Sequence, residues 1–137
     1  MPVIESLICT ESDGTISFGN YTLDKKSKLS DYEHEGDLYK VKTFYEITKL
    51  ERNGLFVYES VPGTAVNHFK VTDGEVSFTV EGAKDSQITL QMEDATEYEI
   101  CLDDVCINDI KTNGSGKLVI SVELNEGSGR SVRIVKK

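Results

Sequence analysis

Apolar and polar residues alternate along this chain in short runs, and a turn signal separates the runs at almost every ten residues. The clearest run is 75–81, where Val76, Phe78 and Val80 alternate with Glu75, Ser77, Thr79 and Glu81. A strand there places every apolar group on one face and every polar group in water. Leu118, Ile120, Val122 and Leu124 repeat the pattern, as do Val132 and Ile134. Asp13-Gly14, Asn53-Gly54, Asp73-Gly74 and Asn113-Gly114 are dipeptides suited to tight hairpin turns, because glycine tolerates positive φ. The pattern predicts strands near 15–23, 38–50, 55–61, 65–71, 75–81, 86–92, 97–102, 105–111, 117–124 and 131–136. This is an all-β chain of sandwich or barrel type.

One stretch breaks the alternation. Residues 22–37 are rich in Lys, Ser, Asp and Glu, and the expectation there is an exposed loop, 24–37, of the kind that often carries function. A short helix capped by Ser30 or Asp31 would be ended by Gly36.

Seven predicted strands in 64–137 match the count of an immunoglobulin or fibronectin type III sandwich. Within them, Leu90 followed by Glu93-Asp94-Ala95-Thr96-Glu97-Tyr98 resembles the tyrosine corner of such domains, in which a Tyr hydroxyl returns to the backbone upstream. Lys111-Thr112-Asn113-Gly114-Ser115-Gly116-Lys117-Leu118 resembles the closing turn and strand of accessory modules on polysaccharide-degrading enzymes. The expected architecture is an immunoglobulin-like antiparallel β-sandwich at 64–137 with an additional, irregular N-terminal β region at 1–63, joined at Val61-Pro62-Gly63-Thr64. Tyr39-Lys-Val-Lys-Thr, Thr48-Lys-Leu-Glu-Arg-Asn-Gly and Tyr58-Glu-Ser-Val-Pro-Gly-Thr-Ala-Val resemble a group of small bacterial proteins commonly labelled endosialidase. That resemblance implies cleavage of a sialic acid polymer.

Charge narrows the partners. Fifteen Lys and Arg against 24 Asp and Glu leave a net charge of −9, so a nucleic-acid backbone or an anionic membrane is repelled overall. No apolar run approaches the roughly 20 residues of a membrane span, and the first residues lack the order of a secretory signal. The expected location is the cytoplasm, unless an export signal has been removed. Three cysteines, Cys9, Cys101 and Cys106, fit a reducing compartment better than a disulfide framework.

Candidate chemistry is sparse. If Asp103-Asp104 is a two-residue turn, Cys101 and Cys106 lie opposite each other and form a candidate redox pair; otherwise both are small buried hydrophobes. His34, within Asp31-Tyr-Glu-His-Glu-Gly-Asp37, is a binding candidate, but the spacing fits neither a calcium loop nor a zinc site, and no metal or cofactor is expected. His68 is expected to be a polar strand residue. Tyr32 and Tyr39 flank the acidic stretch and are the best candidates for stacking a sugar; alternatively Tyr39, Phe44 and Tyr45 pack strand faces. No Gly-x-Ser-x-Gly, His-Glu-x-x-His or phosphate-cradling loop occurs, Arg52, Arg130 and Arg133 are the only arginines, and Trp is missing. No catalytic residue is assigned. The expected function is non-catalytic: recognition of a protein partner, or self-association into a homo-oligomer, through a sheet face, an edge or the 24–37 loop, with glycan binding as the alternative and a glycan hydrolase third.

Overall fold

The computed structural model describes residues 3–137, with the side chains of all but Ile107 and Asn108. Among the described residues there are thirteen strands: β1 (Ile8–Thr10), β2 (Ile16–Phe18), β3 (Ser27–His34), β4 (Asp37–Phe44), β5 (Ile47–Arg52), β6 (Leu55–Val61), β7 (Ala65–Thr72), β8 (Glu75–Glu81), β9 (Ser86–Gln91), β10 (Glu97–Leu102), β11 (Val105–Lys111), β12 (Lys117–Val122) and β13 (Arg130–Lys136). They form a seven-stranded sheet in the order β1-β2-β7-β8-β13-β10-β11 and a six-stranded sheet in the order β12-β9-β6-β5-β4-β3. The fold is an all-β antiparallel sandwich.

Alternation explains the core. Val76, Phe78 and Val80 of β8, Val132 and Ile134 of β13, and Ile88, Leu90, Leu118 and Ile120 from the facing sheet all point between the layers. Four aromatic rings lock the centre: Phe18 meets Tyr58 edge-on at 5.2 Å and Phe69 at 5.6 Å, and Tyr58 meets Phe78 at 5.8 Å. Phe18, Phe69 and Phe78 come from the larger sheet and Tyr58 from the smaller, so the contacts of Tyr58 with Phe18 and Phe78 join the two layers.

The expected joint at 61–64 runs through this shared core. Strands β1 and β2 extend the larger sheet beyond β7, while β3 to β6 pair in series and reach β9. Both sheets therefore draw strands from 1–63 and from 64–137. The tyrosine corner is present: Tyr98, 2 % exposed, accepts a hydrogen bond from the Glu93 N–H at 3.1 Å.

Three expectations are corrected. Residues 27–34 are a strand rather than a loop or helix; β4, with Tyr39, Val41 and Thr43 buried, offers a free edge, and a polar strand suits the solvent-facing side of it. The run 38–50 is two strands, folded back at Tyr45-Glu46. Of the four glycine turn signals, only Asn53-Gly54 holds both residues at positive φ; in the 113–116 turn the positive-φ residue is Gly116. Gly19 is constrained twice: its φ is +98°, and a Cβ there would sit 2.5 Å from the Thr64 carbonyl oxygen.

Candidate functional site

Three turns gather at one end of the sandwich: 13–14, 35–36 and 53–54. Glu35-Gly36 and Asn53-Gly54 hold both turn residues at positive φ, the geometry of a tight type I′ hairpin. Register then brings the candidate residues together. Tyr32 pairs with Tyr39 across β3 and β4, and Tyr39 with Arg52 across β4 and β5. Thr10 of the other sheet bridges two of them, its Oγ1 lying 2.8 Å from the Tyr32 hydroxyl and 2.9 Å from His34 Nδ1.

His34 is 7 % exposed, stacks edge-on against Tyr39 at 5.9 Å, and presents Nε2 to Glu35 at 3.2 Å. Tyr39 is buried, as the alternative in which it packs a strand face has it, and presents no exposed platform to a sugar; Tyr32 is half-buried. Burial pushes the Tyr39 phenol up from its ordinary range, and the Arg52 guanidinium that hydrogen-bonds it pulls the other way. His68 stands apart from its expected place in a regular strand. It lies at a bulge of β7 with φ +56°, and its Nδ1 is 3.1 Å from both Asp13 Oδ2 and Thr15 Oγ1. Hydrogen bonds from Thr15, the stronger influence, and the nearby His68 hold the Asp13 carboxyl below its ordinary range.

The redox candidates are opposite each other and disulfide-bonded. Asp103 and Asp104 both have positive φ, as a two-residue hairpin turn requires, and Cys101 faces Cys106 across it. Arg130 and the Ser131 N–H both bond Asp103 and brace this turn against β13. Cys101 is buried and Cys106 exposed on the edge strand.

A second feature escaped the reading of the sequence. On the outward face of the smaller sheet, Lys28 pairs with Lys42, and Lys42 pairs with Lys49. Three lysines thus stand side by side on three adjacent strands, about 4.8 Å apart at the backbone. Lys40, in the next row, borders the same depression. Lys49 reaches Glu51 at 3.6 Å; Lys28, Lys40 and Lys42 have no carboxylate at ion-pair distance among the described residues. Lys26 adds charge nearby, its ammonium 6.0 Å from the Phe44 ring. Partial burial, and then repulsion from Lys26, Lys49 and Lys28, lower the Lys42 ammonium from its ordinary range. Like charges directly opposite on neighbouring strands destabilise a sheet. Phe44 and Ile47 flank the row on one side, and on the other Phe56 lies under the Lys117 ammonium at 3.6 Å.

Compared with protein-family models, with curated proteins and with solved structures, the chain matches none.

Proposed function

We propose that this chain is a non-catalytic binding protein that recognises an acidic segment of a protein partner on the outer face of its smaller sheet. The observation that carries the proposal is the row Lys28–Lys42–Lys49. In a chain of net charge −9, cations have abundant carboxylates to pair with, yet among the described residues Lys28, Lys40 and Lys42 have none at ion-pair distance, although Glu51 stands opposite Lys40 and Glu59 opposite Lys49 in the strand register. A face that opposes folding in this way gains most from an external anion, which would relieve the repulsion on binding. The patch spans three strands, and the rest of the protein repels a long polyanion, so a short acidic stretch fits it better than a nucleic-acid backbone. Phe44 and Ile47 beside the row supply apolar contact for the same segment. Edge pairing fits less well: β3 lines that edge with Lys28, Asp31 and Glu33, and Asp31 holds a positive φ within a bulge, features that discourage strand addition.

Isothermal titration with a capped hexaglutamate peptide tests the reading. Wild-type protein binds the peptide with an affinity that falls as salt rises, and Lys42→Glu/Lys49→Glu abolishes binding while leaving the fold intact. Equal binding by wild type and variant would overturn it. Salt-sensitive dimerisation through the same lysines, without peptide binding, would instead make the occupant a second copy of the chain.

A further inference from the structure

The cleft at the end of the sandwich has a volume of about 210 Å3 and is lined from both sheets. Ile16, Val57 and Phe69 give it an apolar wall; Asp13, Glu35, Asp37, Arg52 and Lys70 give it charge. The acids are already engaged. Asp13 Oδ1 accepts the Thr15 N–H at 3.0 Å and hydroxyl at 2.5 Å, and its Oδ2 meets His68 at 3.1 Å. Asp37 Oδ1 accepts from Asn53 Nδ2 at 2.9 Å, and Glu35 meets His34 at 3.2 Å. The cations are not so engaged: neither Arg52 nor Lys70 has a carboxylate at ion-pair distance among the described residues. Both cations therefore keep charge-assisted bonding capacity, Arg52 beyond its hydrogen bond to the Tyr39 hydroxyl, beside three carboxylates that are each already bonded to a neighbouring side chain.

We infer that this cleft binds a small organic carboxylate, its acid group held by Arg52 and Lys70 and its carbon body resting on Ile16, Val57 and Phe69. The planar fork of Arg52 matches the two oxygens of a carboxylate, and Lys70 adds a point charge from the opposite sheet. The volume lies below the roughly 300–1,000 Å3 of pockets for drug-sized molecules, which restricts the ligand to a short-chain or single-ring acid. The apolar wall separates such an acid from inorganic phosphate, which has nothing to place there. The His34–Thr10–Tyr32 bridge ties the two sheets at this end, and His34 itself lines the cleft. This site is separate from the lysine face, and its inference does not depend on that face binding anything.

Amide NMR titration of the intact protein with hexanoate and benzoate tests the inference, with hexanol and inorganic phosphate at matched ionic strength as comparisons. The acids give saturable shifts confined to 13–16, 34–39, 52–57 and 69–71, and hexanol and phosphate give none of that pattern. Arg52→Gln weakens acid binding by about tenfold or more, the loss expected of a charge-assisted pair. Arg52 is exposed and its hydrogen bond within the protein goes to Tyr39, so changes in the ligand-free variant stay near Tyr39 and residues far from the cleft keep their wild-type positions. Equal shifts with hexanol, tighter binding of phosphate than of either acid, unweakened binding by Arg52→Gln, or no saturable shift with any acid would each overturn the inference.

Discussion

At the scale of single residues, the strongest statement concerns Lys42. Its neighbours across both flanking strands are Lys28 and Lys49, and cross-strand pairs on one face contribute roughly 0.2–1 kcal/mol each, with the sign reversed for like charges. Lys42→Thr, which also puts a strand-favouring residue at the site, is expected to stabilise the fold by about 0.5 kcal/mol in urea melts, and by more at low salt. The buried tyrosines set an opposite, alkaline limit. Burial pushes the Tyr58 phenol far above its ordinary 10.0, and burial together with the Glu81 carboxylate it bonds does the same to Tyr21. A folded value raised above the unfolded one stabilises the fold fully below pH 10 and ceases to do so as pH rises beyond it. Ultraviolet titration should therefore show at least two tyrosines, Tyr21 and Tyr58, whose ionisation coincides with unfolding above about pH 10. Smooth ionisation of all six in the folded state would contradict the burial described here.

At the scale of elements, the strands with clean alternation were legible in the sequence, and β6 to β13 fall within a residue or two of expectation at almost every end. Alternation reports one buried face, and these strands have one. Strand β3 was illegible because an edge strand with little buried surface carries almost no apolar signal; β4 supplies its hydrogen bonds whatever its side chains are. Strand β1, three residues long, is too short to show a period. The 38–50 run hid its turn because Tyr45 and Glu46 are not turn-forming residues. Sequence proximity found Tyr32, His34 and Tyr39, but not Arg52, which joins them through the β4–β5 register. The lysine row was hidden for the same reason, since its members come from three strands and become neighbours only after pairing. Gly19, just after β2, ties this strand system to the 64–65 segment. Gly19→Ala is expected to cost at least about 2 kcal/mol, from the positive φ and from overpacking against the Thr64 carbonyl, measured as a fall in urea midpoint. A cost under about 0.5 kcal/mol would mean that the close approach relaxes freely.

At the scale of the whole molecule, the sandwich separates two tasks. Its interior is tied by Phe18, Tyr58, Phe69 and Phe78 across both layers, so neither sheet has to stand alone. That rigidity lets the outer face of the smaller sheet carry an unfavourable row of charge, and lets the turns at one end hold a small cleft. Under the proposed function, the concentrated cationic face of this acidic chain would also orient an acidic partner before contact, through a field that salt screens within about 8–10 Å. The central claim is that this row is strained by its own charge until a partner's carboxylates neutralise it. Burial first, and then repulsion from Lys26, Lys49 and Lys28, lower the Lys42 ammonium, and anions that surround it oppose the repulsive part, so its titration responds to neutralisation of the row. NMR titration of the Lys42 side chain, free and with the hexaglutamate peptide, is the decisive measurement. The account predicts a value below that of ordinary lysines in the free protein, rising back toward 10.5 on binding; an ordinary value in the free protein, or a depressed one that the peptide leaves unmoved, would contradict it.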